Sequence, residues 1–211
     1  MSFISLIFSI LGAICVVEVV DILGRVDNEE KLKMNNKEKG ILVLMVFLST
    51  FLIYHKYKFS VEFIFYFYLS IYLIITAYID YKIKKVYCIL NILTIFVALI
   101  FMMYHLYMGI DISYIIISVI IYSCFSCLLR IFKFYGGGDN EIYIAIGYFV
   151  ASLSYSHLPL TTLMINMLVS NLVLILINVK GLIKNFKEVS KRKDAFAPAI
   201  AIATILIIFA I

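Results

Sequence analysis

Eight long apolar stretches, at 1–23, 40–55, 60–79, 86–109, 111–129, 140–156, 158–178 and 195–211, leave little of the chain for anything else. A hydrocarbon core of about 30 Å takes roughly 17–25 mostly apolar residues per helix. Seven stretches meet that length. The second holds 16 residues and leaves room for a re-entrant or strongly mismatched helix. Helices are the form such segments take, because lipid offers no partner to an open backbone N–H or C=O. Of 211 residues, 64% are hydrophobic and 15% charged, against roughly 45–50% and about 25% in a soluble domain. That is too little polar surface to cover a water-facing globule. The expected architecture is an all-α polytopic membrane protein of about eight transmembrane helices, forming one domain over 1–211. No Lys or Arg precedes the first stretch and no A-x-A-like site follows it, so a retained helix is expected there rather than a cleavable signal.

The net charge of +5 does not point to nucleic acid, because the basic residues lie between apolar stretches rather than on a soluble face. They read as topology signals. Lys and Arg number five in 24–39, three in 80–85, two in 130–139 and six in 179–194, which is 16 in all, against Lys56 and Lys58 alone in the other connections. The positive-inside bias then places those four loops in the cytoplasm and both termini outside. The bilayer is the expected surrounding.

Carboxylates inside or at the edge of a membrane are expensive, so each is a functional candidate. They are Glu18 and Asp21 near the inner end of the first helix, Glu62 and Asp80 at the two ends of the third, Asp111 before the fifth, Asp139 and Glu141 at the start of the sixth, and Asp194 before the last. Reaching the headgroup region accounts for Glu62, Asp111 and Asp194. Asp80 and Asp139 both fall at cytoplasmic helix ends, and Asp139 follows Gly136, Gly137 and Gly138. Glycines relax the φ/ψ limits, and irregular backbone at membrane depth is tolerated only against protein or a water-filled cavity. Such a loop lets a substrate backbone approach a carboxylate closely. Two carboxyls brought together share a proton and titrate as a pair. One then takes a proton from an attacking water while the other hydrogen-bonds the peptide carbonyl and helps expel the amine. Which aspartate starts as acid stays open. His55, His105 and His157 lack HExxH-like spacing and an obvious Ser or Cys partner. Cys124 and Cys127 have CxxC spacing without the further ligands of a zinc site, so no metal is expected.

These residues carry a resemblance. Gly136-Gly137-Gly138-Asp139 matches the GxGD signature of membrane aspartic peptidases. Asp80, followed by the basic run Lys82-Ile83-Lys84-Lys85, resembles the first catalytic aspartate of the type IV prepilin peptidases, and Ala195-Phe196-Ala197-Pro198-Ala199-Ile200 resembles their C-terminal Pro-Phe-x-Pro-type segment. Leu11-Gly12 through Arg25 is similar to their first helix. The chain departs from that pattern at Val86-Tyr87-Cys88, where an Ile-Pro-Asn-like triplet is usual, and at Glu141, where Lys is usual. Loop 24–39 has no cysteine, so the resemblance brings neither a zinc site nor an N-methyltransferase activity. It implies an aspartic endopeptidase without cofactor in a bacterial cytoplasmic membrane. Asp80 and Asp139 would be its catalytic pair, and prepilins or pseudopilins of pilus or secretion systems its substrates.

The same resemblance gives the acidic residues a role. Glu18, Asp21 and Glu141 would attract the basic leader of such a substrate, with Gly136, Gly137 and Gly138 against its backbone. Against this stands the plain reading that the three reach water or pair with Lys82, Lys84 or Lys133. Two rival functions remain: a small membrane transporter, which predicts carboxylates near the bilayer midplane and helices broken there, and an inactive structural member of a pilus or secretion apparatus. A GxGD protease acting within the bilayer would place its first aspartate after a Tyr, whereas Ile79 precedes Asp80.

Overall fold

A computed structural model describes residues 3–109, 111–132, 137–153, 159–184 and 195–210. Among the described residues are eight α-helices and no strand: α1 (Phe3–Val26), α2 (Asn36–Tyr57), α3 (Val61–Ile83), α4 (Cys88–Tyr107), α5 (Ile112–Ile131), α6 (Gly137–Leu153), α7 (Pro159–Lys184) and α8 (Ala197–Ala210). A 3-10 turn, Glu30–Leu32, lies between the first two. Helices α1 to α4, at 24, 22, 23 and 20 residues, are long and apolar enough to cross a membrane.

Helix ends extend beyond the apolar stretches where polar residues cap them. The Asn35 side chain accepts from Glu38 N–H and the Glu38 carboxylate accepts from Asn35 N–H, a reciprocal cap that satisfies two otherwise open donors. The helix therefore starts inside the polar loop, and the short stretch 40–55 becomes a continuous helix of 22 residues. Ser60 caps α3 by accepting from Phe63 N–H. Its far end passes the apolar limit at 79 and closes at Lys84, which is in the left-handed region with φ 57° and ψ 36°.

The chain divides into two compact units, Met1–Lys85 with Ser170–Ile211, and Val86–Val169. In the first, α3 is the most buried helix, with Phe63, Tyr66, Leu69, Leu73 and Ile79 all out of solvent. α1 runs parallel to α3: Phe8 meets Phe63 and Phe67 at ring separations of 5.1 and 5.3 Å, and one turn later Gly12 meets Phe67 and Ile71. A Cβ at Gly12 would come within 2.8 Å of both side chains, so the glycine sets the close approach of these helices. α2 and α8 are also parallel. Lys56 Nζ and Tyr57 Oη donate to the Ile208 carbonyl at 2.9 and 3.2 Å, satisfying the open end of α8, while Glu38 and Pro198 share a cleft at the other end. One end of this unit thus gathers the C-termini of α1 and α3 and the N-termini of α2 and α8. Ion pairs Lys82–Glu38 and Lys85–Glu29 tie loops 24–39 and 80–85 together there, and Lys39–Asp21 ties the first of these loops to α1.

In the second unit α4 and α6 run parallel. Asn91 bonds Glu141 near their starts, and Phe101 meets Phe149 farther along at 6.1 Å. α5 packs on α6 through the Tyr122 ring, which lies over Gly147 so closely that a Cβ there would be 2.4 Å from Tyr122 Cδ1.

Candidate functional site

Asp80 sits in the last turn of α3 and is 7% exposed. Its carbonyl accepts the Lys84 N–H that closes the helix, at 2.9 Å. Its carboxylate points at the start of α8, where Ala197 N–H donates to Oδ2 at 3.0 Å. Helix N-termini expose unpaired N–H groups and a partial positive charge, and both suit a carboxylate. Pro198, next in the helix, has no N–H to offer, which is tolerated in a first turn. Phe196 and Ala197 are themselves buried, so the donor is fixed by packing.

An apolar cleft of about 300 Å³ runs between α2, α3 and the start of α8, lined in part by Met45, Ala77, Tyr81 and Pro198. Glu38 closes its polar end. Besides capping α2, Glu38 pairs with Lys82 and accepts from Tyr78 Oη at 3.3 Å. It was not among the carboxylates singled out from the sequence, although the Asn35-x-x-Glu38 spacing is a capping-box signal.

Asp139 lies in the first turn of α6 and is half-buried. Gly137 and Gly138 belong to that same turn, while Gly136 lies outside the described residues, as do Lys133, His157 and Asp194. Gly138 is needed for space. A Cβ there would fall 2.6 Å from Val86 Cγ2, so the GxGD turn rests on the first residue of the Val86-Tyr87-Cys88 triplet. Glu141, one turn of sequence into the helix, is aimed by Asn91, which is 3% exposed and donates from Nδ2 to Oε2 at 2.8 Å. Asn140 is 2% exposed, and its Oδ1 finds no donor among the described residues. Neither asparagine carried a sequence signal, since each depends on a neighbour far along the chain or on burial alone.

Asp80 belongs to the first unit and Asp139 to the second. No family model, curated protein or solved structure matches the chain. Each carboxylate is therefore described within its own unit: Asp80 is buried and aimed by backbone in the first, and Asp139 opens α6 in the second.

The remaining candidates separate. Asp21 lies 3.8 Å from Lys39 and its carbonyl accepts from Arg25 Nε; with Arg25, Glu29 and Lys33 it lines an open cleft of about 480 Å³. Glu18 is exposed on α1. Glu62 is in the first turn of α3. Asp111 caps α5 by accepting from Ser113 N–H at 2.9 Å, and that bond holds its carboxyl below the ordinary carboxylate range. Among the described residues of the first unit, Glu18 and Asp21 make no ion pair with Lys82 or Lys84: Asp21 meets Lys39, and Lys82 pairs with Glu38. Among the described residues no group of three or more His, Cys, Asp or Glu could hold a metal ion.

Proposed function

We propose that the chain is a membrane aspartic endopeptidase of the prepilin-peptidase type, cutting a short basic leader from a prepilin or pseudopilin at the cytoplasmic face of a bacterial membrane. The observation that carries the reading is Asp80, a carboxylate withdrawn from water and aimed by the Ala197 N–H, at the end of its unit where the basic loops 24–39 and 80–85 meet. A leader held in water beside a substrate helix in lipid puts its scissile bond at that level. The orientation that goes with the reading has eight spans, both termini outside, and these loops inside.

In this mechanism Asp80 and Asp139 hold one proton between them. The ionised carboxylate takes a proton from water as the water oxygen attacks the peptide carbonyl carbon. The protonated carboxyl hydrogen-bonds the carbonyl oxygen, and collapse of the tetrahedral adduct expels the amine, which receives a proton from the pair. Burial and the fixed Ala197 N–H keep Asp80 in one orientation through both steps. Gly136, Gly137 and Gly138 leave room for substrate backbone. Asp21 and Glu141 supply negative charge toward the leader.

Co-expression with a prepilin in a host lacking its own peptidase tests the reading, because Asp80→Asn and Asp139→Asn should each stop processing. The leader contact has its own test. Glu141→Gln should slow cleavage of a Lys-bearing leader more than that of a neutralised one, by about tenfold if the pair is desolvated. An unchanged ratio removes Glu141 from leader recognition.

A further inference from the structure

The outward stripe of α1 carries a charge that nothing described in the chain neutralises. Leu11, Ile14 and Ile22 are 57%, 56% and 49% exposed, and Glu18 stands on the same stripe one turn from both Ile14 and Ile22. It is exposed, with no hydrogen bond or ion pair among the described residues. The nearby cations are engaged with Asp21 instead, Arg25 through its carbonyl at 3.3 Å and Lys39 at 3.8 Å from its carboxylate.

Depth decides what Glu18 can meet. α1 has 24 residues, about 36 Å of helix at 1.5 Å per residue, against a hydrocarbon core of about 30 Å. Glu18 precedes the last residue, Val26, by about 12 Å of helix axis. Helical side chains tilt toward the N-terminus, which carries this carboxylate farther from the polar end. A glutamate also lacks the long stem by which Lys and Arg reach the interface. A carboxylate left in hydrocarbon is costly, and such groups are found paired.

We propose that the Leu11–Ile14–Glu18–Ile22 face of α1 docks a transmembrane helix of a different chain that presents a Lys or Arg at the depth of Glu18. A lipid headgroup amine lies at the interface, too far along the helix to serve. A second copy of this chain is excluded on charge. All 18 Lys and Arg lie outside the eight apolar stretches, and parallel α1 helices would set two Glu18 carboxylates against each other. The partner helix contributes a long cationic side chain whose stem packs along Ile14 and Ile22 while its head meets Glu18. The inference stands independently of the peptidase reading, since it concerns a face of α1 and no cleavage.

The test uses the full chain, donor-labelled and reconstituted in phosphatidylcholine vesicles. The probe is an acceptor-labelled poly-leucine transmembrane helix carrying one Lys eight residues from one end, and the same helix with Leu there is the control. Energy transfer should show the Lys helix binding about tenfold more tightly than the Leu helix, in the range of interhelical polar contacts in membranes. Glu18→Leu should erase the difference. Glu18→Lys paired with a Glu-bearing helix should restore a preference of similar size, and this arm decides the matter if Glu18→Leu fails to fold. Equal binding of both helices by the native chain, a Lys preference that survives Glu18→Leu, or no recovery in the charge swap overturns the proposal.

Discussion

Backbone geometry aims Asp80: the Ala197 N–H at the head of α8 holds Oδ2, and burial of Phe196 and Ala197 keeps that donor in place. Gly138 is fixed by an equally specific contact, the Val86 side chain lying where a Cβ would go. Gly138→Ala should therefore destabilise the second unit by about 1–3 kcal/mol, the usual range for overpacking. Val86→Ala in the same chain should recover most of the loss, both read by thermal unfolding in detergent. Asp111, the cap that precedes α5, gives a pH signature. Its folded-state carboxyl is held below the ordinary value by the Ser113 N–H. The cap therefore contributes fully above the ordinary carboxylate range and is lost as pH falls through the lowered value. Protection of the Ser113 amide against hydrogen exchange, taken relative to its intrinsic rate at each pH, should fall on acidification in the native chain, and Asp111→Asn, which keeps an acceptor, should remove that dependence. At this scale the sequence disclosed both aspartates and the glycine run, because isolated carboxylates and consecutive glycines stand out against apolar surroundings. It did not disclose Asn91 as the partner of Glu141, 50 positions away, or Glu38 as the link between α2 and α3.

Helix identity was legible from the apolar stretches, while helix ends were not. The second stretch is too short on hydropathy alone, yet Asn35 and Glu38 start α2 in polar sequence and bring it to 22 residues. Gly137, Gly138 and Asp139 form the first turn of α6 rather than a loop ahead of it, since glycines that must accept Val86 closely are also compatible with helical φ/ψ. Glu38 joins two elements through Asn35, Tyr78 and Lys82. Glu38→Ala should lower the unfolding midpoint clearly more than Lys39→Ala, whose pair with Asp21 is well exposed and of the kind that contributes little. Lys82→Ala added to Glu38→Ala should cost little further, because the two share one interaction. Additive losses in that cycle would show that the pair does not couple α2 to α3.

For the whole molecule, lipid length and charge bias suggested eight spans; four of the described helices meet the length and apolarity of a membrane crossing. The basic loops 24–39 and 80–85 do share one end of their unit, with Lys56 at the other, beside the C-terminal end of α8. Long-range pairings of this kind arise from packing and leave no local trace in the sequence. The proposed orientation makes them a topology prediction. In a background with Cys15, Cys88, Cys124 and Cys127 replaced, Lys31→Cys and Lys84→Cys should label from the cytoplasmic side and Lys58→Cys from the outside. The central claim is more demanding, and a single assay addresses it. Purified protein would be incubated in detergent with a synthetic prepilin segment comprising a basic leader, a Gly and an apolar helix, and mass spectrometry would locate the cut. The account predicts one cleavage at the end of the leader by the native chain and none, within about a thousandth of that rate, by Asp80→Asn or Asp139→Asn. Cleavage that survives either substitution would contradict it.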